Sequence, residues 1–471
     1  MKIYIYLVVL AGGLCLLSCD RDEFLDITPK GLIIPTKASD YRLMLDQVDS
    51  QGAANGFYNC IDDDTYLSDE LKITDDDALV GPTRYSESDI NNYLWKDNSA
   101  INSEHVDGDW NRMYNQIFNS NIIINGLVDA EGTAAEIAQL DAEARVHRAY
   151  AYLLLVNMYA KHYDPTTANS DLGIPLRDDE RLDGSLVRAT VQETYDFILN
   201  DLSESFINAL PDISEKKIRP SKASAYAILA RTYLYMGNFD LALDFADRSL
   251  GLYNTVTDLT TLPASPFSFL SPDLVDLPAY HETAELLLAK GRVSVGFRPQ
   301  ELSDAFLALF ELTNDVRYKG IFARDFVPPF QIVVAYDVQL EAGLRLTGPT
   351  VPEMMLTKAE CLARNGDITG AIDLLNELRV YRLTTPTDLS YPATADEALT
   401  IVKQERAREF ILKGYRWFDI KRYNAYDNAN ITLTKTYKGE TVSLTPGDNR
   451  WVRPINRRLN EMNPELELNP Q

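Results

Sequence analysis

Glu405 and Glu409 stand one helical turn apart in "QERAREFILKGYRWFDIKRY", and two carboxylates on one helix face can serve as general acid and base. The same segment supplies Arg406, Arg408, Lys413, Arg416 and Arg422 around Asp419, which suits a structural ion-pair network instead. The reading favoured is the network: Glu405 with Arg408, Glu409 with Lys413, and Arg416 or Arg422 beside Asp419. Metal chemistry has little support. His105, His147, His162 and His281 are widely separated, with no His-x-x-x-His pair to hold zinc. The acidic runs Asp62–Asp64 and Asp75–Asp77 offer oxygen ligands but lack the glycine that an EF-hand loop requires. They read as solvated loop charge; a structural calcium is left without support, and no other cofactor is expected. There is no Gly-x-Ser-x-Gly, no phosphate-binding glycine loop and no Cys–His pairing.

Bulk properties narrow the classes further. A chain of 471 residues with a formal charge of −25 can bury a large core, and it is a poor partner for nucleic acid or anionic lipid surfaces. Tyrosine is abundant, with 26 residues against 17 Phe and 4 Trp, giving apolar rings with polar tips. The apolar run Ile3–Leu17 follows Lys2 and is shorter than the roughly 20 residues a spanning helix needs, so it reads as a secretory signal. Leu16-Leu17-Ser18-Cys19 resembles the lipobox of bacterial lipoproteins. That resemblance implies cleavage before Cys19 and lipid attachment to its thiol, the sole contact with the membrane. Asp20, Asp22 and Glu23 after it resemble the surface-export signals of Bacteroidetes lipoproteins, although Asp20 alone also resembles an inner-membrane retention signal of enterobacteria. Setting aside Cys15 and Cys19, only Cys60 and Cys361 remain, which favours two separate buried thiols over one bridge.

The elements that must position these groups are mostly helices. "ASAYAILARTYLYMGNFDLALDFADRSL" from Ala223 and "MMLTKAECLARNGDITGAIDLLNELR" from Met354 repeat each other. Ala230, Gly237 and Ala242 map onto Ala359, Gly366 and Ala371 at one offset of 129. Small residues that let two helices approach, with a glycine closing the turn, are the spacing of a tetratricopeptide unit. Further helices are predicted from Trp110 (stripe Trp110, Met113, Tyr114, Ile117, Asn121), from Glu143, from Thr190 with a Thr190–Glu193 capping box, and from near Thr394 to Gly414. "NITLTKTYKGETVSL" from Asn430 alternates about Lys438-Gly439 and predicts a β-hairpin. Residues 254–283 are rich in Pro, Ser and Thr and lack helical period, and a long irregular stretch of this kind is usually functional.

Taken together, these segments resemble the SusD/RagB family of Bacteroidetes nutrient-binding lipoproteins. The residues that carry the resemblance are Phe24-Leu25-Asp26…Pro29, then Trp110, Tyr114, Ile117 and Asn121, then Arg148-Ala149-Tyr150 with Gly173-Ile174-Pro175-Leu176. "EMMLTKAECLARNGD", Glu405-Arg406…Glu409-Phe410…Gly414…Arg416-Trp417-Phe418-Asp419 and the closing "RPINRRLNEMNPELELNP" complete it. Asn456 departs from the pattern where the family often has a second Pro, and the chain is short for the family. The resemblance implies a mainly α fold: a right-handed helical scaffold of about four tetratricopeptide-like pairs with irregular loops and a small hairpin. It divides the chain into a signal peptide (1–18), a lipid-anchored tether (19–30), and one compact body with an N-terminal part (31–215) and a C-terminal part (216–471).

The resemblance further implies an outer-membrane, cell-surface protein without enzymatic activity. It would bind a glycan, or alternatively a peptide, and pass it to a SusC-like TonB-dependent transporter. A tetratricopeptide-type interaction scaffold and a carboxylate-pair glycosidase are the rival classes. Sugar rings stack on aromatic side chains while their hydroxyls need polar partners at the edges. Two stretches combine both types: 57–95, with Tyr58, Tyr66, Asp69, Arg84, Tyr85 and Tyr93, and 262–340, with Phe267, Phe269, Tyr280, Arg298, Gln300 and Tyr336. Tyr58, Tyr66, Asp69, Arg84, Tyr85, Tyr280, Arg298 and Tyr336 are the candidate ligand contacts, whereas Trp95, Trp110 and Trp417 are assigned to the core.

Overall fold

The computed structural model describes residues 35–47, 56–61, 64–73, 85–98, 107–181, 183–265, 273, 275–279, 281–293, 301–319 and 344–470. Ten helices of eight residues or more dominate them: α1 (Ala38–Leu45), α2 (Gly108–Gly126), α3 (Ala134–Tyr159), α4 (Val191–Asp201), α5 (Lys222–Tyr235), α6 (Phe239–Leu252), α7 (Val351–Arg364), α8 (Ile368–Val380), α9 (Ala395–Glu409) and α10 (Arg416–Tyr426). The chain is mainly α, as the sequence leads one to expect. Successive packed pairs run α2/α3, α5/α6 and α7/α8, and α9 leads through a turn into α10. Within the stack α2 packs on α3, α5 on α6, α6 on α7, and α9 returns onto α7 and α8.

Local chemistry starts these helices where the sequence indicates. Thr190 caps α4 by accepting from the Glu193 N–H, while the Glu193 carboxylate accepts from the Thr190 N–H. Thr133 and Glu136 do the same for α3, nine residues before the expected start at Glu143. From Val146 to Tyr159 every residue of α3 is buried, the pattern of a helix enclosed on all sides. The stripe on α2 also faces inward, burying Trp110, Met113, Ile117 and Asn121, with Tyr114 half-buried. Trp95 and Trp417 are buried too.

The two repeats match beyond the residues that revealed them. Ala230, Ala242, Ala359 and Ala371 are fully buried between paired helices. Gly237 and Gly366 take the left-handed conformation, with φ of +71° and +84°, and end their helices. The next residues, Asn238 and Asp367, cap α6 and α8 by accepting from the N–H groups of Leu241 and Gly370. The position after the first alanine carries a buried charge in both. Arg231 on α5 pairs with Glu353 on α7 at 2.6 Å, and Glu360 on α7 pairs with Arg422 on α10. One repeat position thus ties α5 to α7 and α7 to α10 by ion pairs.

The hairpin forms as expected, Leu433–Tyr437 against Glu440–Leu444, with Lys438 and Gly439 both at positive φ. Two central residues of that conformation match the twist of the flanking strands. Cys60 and Cys361 are separate buried free thiols, so no bridge joins them. One boundary differs. α9 ends at Glu409 rather than near Gly414, and the chain turns through Leu412 at φ +57° and Gly414 at +83°. The turn aims the Leu412 N–H at the buried Glu70 carboxylate, 2.8 Å away, and stacks Phe410 on Tyr415. Tertiary partners here outweigh the helical preference of the sequence.

Candidate functional site

The two aromatic-rich stretches, 57–95 and 262–340, are far apart in sequence, and their described parts meet at one base. The Gly291 N–H donates to the Tyr58 carbonyl and the Cys60 N–H donates to the Gly291 carbonyl, each at 2.9 Å. A Cβ at position 291 would come within 2.6 Å of the Tyr58 ring, so this approach requires glycine. Farther along, Leu71 and Lys72 pair antiparallel with Leu302 and Glu301. Ser303 adds two bonds, from its N–H to the Glu70 carbonyl and from its hydroxyl to the Asp69 carbonyl, and Lys72 pairs with Asp304 at 2.8 Å. The flanks of both stretches are therefore fixed to each other.

The candidate contacts divide on inspection. Tyr58 and Tyr66 are 2% and 5% exposed and sit in the core beneath this base, where they offer no ring face to a ligand. Tyr93 is buried as well. Tyr85 is half-buried and stands edge-on to Tyr66, with ring centroids 6.5 Å apart. Asp69 is half-buried, and both its carboxylate oxygens accept from Arg416 at 2.8 Å. Arg84, Tyr280, Arg298 and Tyr336 lie outside the described residues, as do Cys19, Phe267, Phe269, Gln300, Asp62, Asp63 and Asp75–Asp77.

Beneath the base lie buried charges that sequence reasoning missed. Lys290 donates to the Phe57 carbonyl and lies 3.1 Å from Nδ1 of His147, whose ring stacks on Phe57. Burial pulls the Lys290 ammonium down to about 7, and burial with the neighbouring Lys290 holds His147 neutral. Lys435 sits on the inward face of the hairpin with Leu433, and its ammonium donates to the Tyr66 carbonyl. Glu70 accepts from the Leu412 N–H and from the Ser68 hydroxyl at 2.9 Å, and burial raises its carboxyl to about 7. Nothing in residue type or spacing separates Glu70 from the solvated acids around it.

The Glu405/Glu409 pair is structural. Both side chains are buried. Glu405 accepts from Arg317 at 2.6 Å and from Arg408 at 2.9 Å, and Glu409 accepts from Arg382 and Arg317. Although burial alone would raise them, these guanidinium groups hold Glu405 far below the carboxylate range and Glu409 at about 2. A general acid must carry its proton near neutral pH, which neither does. The expected Glu405–Arg408 pair is present, and Arg422 takes Asp419 at 2.8 Å. Glu409 pairs with Arg317 and Arg382 in place of Lys413, and Arg416 reaches Asp69 in place of Asp419, because both find nearer partners on other elements. No group of His, Cys, Asp or Glu among the described residues is arranged to hold a metal ion.

Known proteins agree with this architecture. Residues 23–234 match a family model described as starch-binding associating with outer membrane, and residues 351–470 match the SusD family model. SusD-like protein P2 of Formosa agariphila is 28% identical over 235 residues, which cover 47% of this chain and 42% of that protein. The match thus spans less than half of that relative's length. A SusD superfamily protein of Bacteroides thetaiotaomicron superposes with a TM-score of 0.70 at 17% identity, over 93% of this chain and 100% of its own. A putative sugar binding protein of Bacteroides vulgatus gives 0.66 at 18%, over 93% and 99%. A laminarin binding SusD-like protein gives 0.57 at 18%, over 87% and 93%. Among the described residues no helix is long and apolar enough to cross a membrane. The two family models between them take in most of the chain, from the segment before α1 to the closing Asn-Pro, and on that ground the chain belongs to the SusD family, a family of outer-membrane-associated binding proteins.

Proposed function

We propose that this protein is a surface lipoprotein, anchored through Cys19, that captures a nutrient oligomer and delivers it to a SusC-like TonB-dependent transporter. The ligand is a glycan in preference to a peptide, and the protein performs no bond chemistry on it. The observation that carries the reading is the single base formed by the flanks of two aromatic-rich stretches, set on an ion-paired helical frame. Tyr85, half-buried at that base, is the described residue best placed to offer a ring to a sugar face. Arg84, Tyr280, Arg298 and Tyr336 complete the proposed contact set, and Asp69 acts through Arg416 to hold the base.

Affinity electrophoresis of the unlipidated chain against plant, host and fungal polysaccharides tests the proposal. Laminarin joins the panel because a solved relative of the same fold is described as binding it. One polysaccharide class should retard the protein, and Tyr85→Ala should weaken the retardation about tenfold, the loss of one stacking contact of 1–1.5 kcal/mol. Migration unchanged by every polysaccharide would end the glycan reading and favour peptide cargo. The anchor has its own test: Cys19→Ala should yield a folded protein that leaves the membrane fraction. A variant that still sediments with outer membrane would remove the lipid from the account.

A further inference from the structure

Three asparagines in this chain stand directly before a glycine: Asn55, Asn125 and Asn365. The pairing is labile because glycine carries no side chain to keep its nitrogen from the neighbouring carboxamide. Whether the carboxamide reacts in the folded protein depends on how each pair is held. Asn55 lies outside the described residues, and the other two pairs are held in opposite ways.

Asn125–Gly126 is clamped. Both residues lie in α2, so helical hydrogen bonds fix their backbone. The Asn125 carboxamide donates to the Glu180 carboxylate at 2.6 Å. Gly126 abuts Tyr41 so closely that a Cβ there would collide with the phenol hydroxyl, which is itself held by the Pro35 carbonyl at 3.1 Å. The peptide between the two residues has no room to rotate.

Asn365–Gly366 is open. It forms the turn between α7 and α8, both residues are exposed, and no hydrogen bond from the described residues reaches the Asn365 carboxamide. A Cβ on Gly366 would meet nothing within 4 Å. Asn365 rests at ψ 1°, which keeps the Gly366 nitrogen away from the Asn365 Cγ, so the peptide must swing before the two can meet. The bonds that oppose the swing run from the Gly366 N–H to the Ala363 carbonyl at 3.1 Å and from the Asp367 N–H to the Leu362 carbonyl at 2.9 Å. They belong to a helix end, where local opening costs least. The first repeat has no counterpart, because Met236 precedes Gly237 and the asparagine, Asn238, follows it.

We propose that Asn365 is a site of spontaneous covalent modification in the folded protein, converting to isoaspartate and aspartate. The Gly366 nitrogen gives up its proton to solvent and attacks Cγ of Asn365. The Cγ–Nδ2 bond breaks, and Nδ2 leaves as ammonia after taking a proton from water. Water then opens the cyclic imide: cleavage at the main-chain carbonyl leaves isoaspartate, and cleavage at Cγ leaves aspartate. Either product places a carboxylate at the negative end of α7, where it is unfavourable. Isoaspartate also lengthens the main chain within the turn, so the modification weakens the second repeat. The proposal involves no ligand and does not depend on the loop base.

The test holds the folded, unlipidated chain at mildly alkaline pH and physiological temperature, beside a sample unfolded in guanidinium. Glutamyl endopeptidase then releases Cys361–Glu377 for fragmentation in the mass spectrometer. In the folded chain Asn365 should lose its amide at least about tenfold faster than Asn125, and unfolding should bring the two to similar rates. Asn365→Gln should resist the reaction and keep its melting midpoint through the incubation while that of the parent falls. An Asn365 that survives in the folded chain, or decays no faster than Asn125, overturns the proposal. An equal fall in the melting midpoints of the parent and Asn365→Gln overturns the effect assigned to the turn.

Discussion

The helix stack and the loop base both bury carboxylates, and they treat them in opposite ways. In the stack each buried glutamate faces arginine: Glu353 has Arg231, Glu360 has Arg422 and Arg364, Glu405 has Arg317, Arg408 and Arg379. Glu360 and Glu405 are thereby held far below the carboxylate range despite burial. At the base, Glu70 is as deeply buried but rests on one backbone N–H and one hydroxyl, while the nearby Arg416 is engaged by Asp69. Burial dominates there and lifts its carboxyl to about 7. The arginine-paired carboxylates of the stack keep their charge at any ordinary pH. The base, where the proposed ligand loops are rooted, holds a group poised to change charge near neutrality.

The stack side of this contrast breaks most readily at Arg231. Removing one partner of a buried pair leaves an uncompensated charge, which costs about 3–5 kcal/mol. Arg231→Met would leave Glu353, fully buried, with the Tyr415 hydroxyl as its remaining side-chain partner. Denaturant unfolding should show a loss of about that size, and Arg231→Met combined with Glu353→Leu should recover most of it. A single-variant loss under about 1 kcal/mol would mean the repeats do not depend on their ion pairs, and the contrast with Glu70 would lose its meaning.

Glu70 sharpens the contrast from the other side. A carboxyl with a folded-state pKa near 7, above its ordinary value of 4.5, holds its proton more tightly when folded. Its contribution is therefore fully favourable below about pH 4.5, declines as pH rises and is lost above about 7. Glu70→Gln removes this titration. The stability of the variant relative to the parent should climb by at most about 3 kcal/mol between those limits and then level off. The neutral His147 and His162 titrate over part of the same range when the chain unfolds, and taking the difference between the two proteins cancels them. A difference that stays flat with pH would place Glu70 among the compensated carboxylates of the stack.

How legible each region was in the sequence follows the same division. The stack announces itself because helix packing imposes a period: small residues at Ala230 and Ala359, turn glycines at Gly237 and Gly366, and an i, i+3 pair at Glu405–Arg408 are all local. The hairpin likewise rests on adjacent residues, Lys438 and Gly439. What was hidden depends on long separations. Arg317 meets Glu405 across 88 positions and Arg416 meets Asp69 across 347, and no spacing rule reaches that far. Irregular chain also carries no period to assign a face, so Tyr58 and Tyr66 read like surface residues while pointing inward. Lys435 shows the converse, since strand alternation places it with the buried Leu433 and its charge is met by the Tyr66 carbonyl.

Within the stack, the two turn glycines offer the finest test of how far the repeats are equivalent. Both lie at positive φ, where a side chain costs about 1–2 kcal/mol, so alanine at either site should destabilise the protein. Their surroundings differ. A Cβ at Gly366 meets nothing within 4 Å, whereas one at Gly237 would fall 2.8 Å from the ring of Tyr426. That ring has little freedom to withdraw, because its hydroxyl donates to the carbonyls of Tyr163 at 2.7 Å and Tyr235 at 2.9 Å. Gly366→Ala should therefore cost the backbone penalty alone, about 1 kcal/mol, while Gly237→Ala adds overpacking of a further 1 kcal/mol or more. Thermal unfolding of the two variants side by side measures the difference. Equal losses would show that α10 yields at Tyr426, and that the turn between α5 and α6 is as open as the one between α7 and α8.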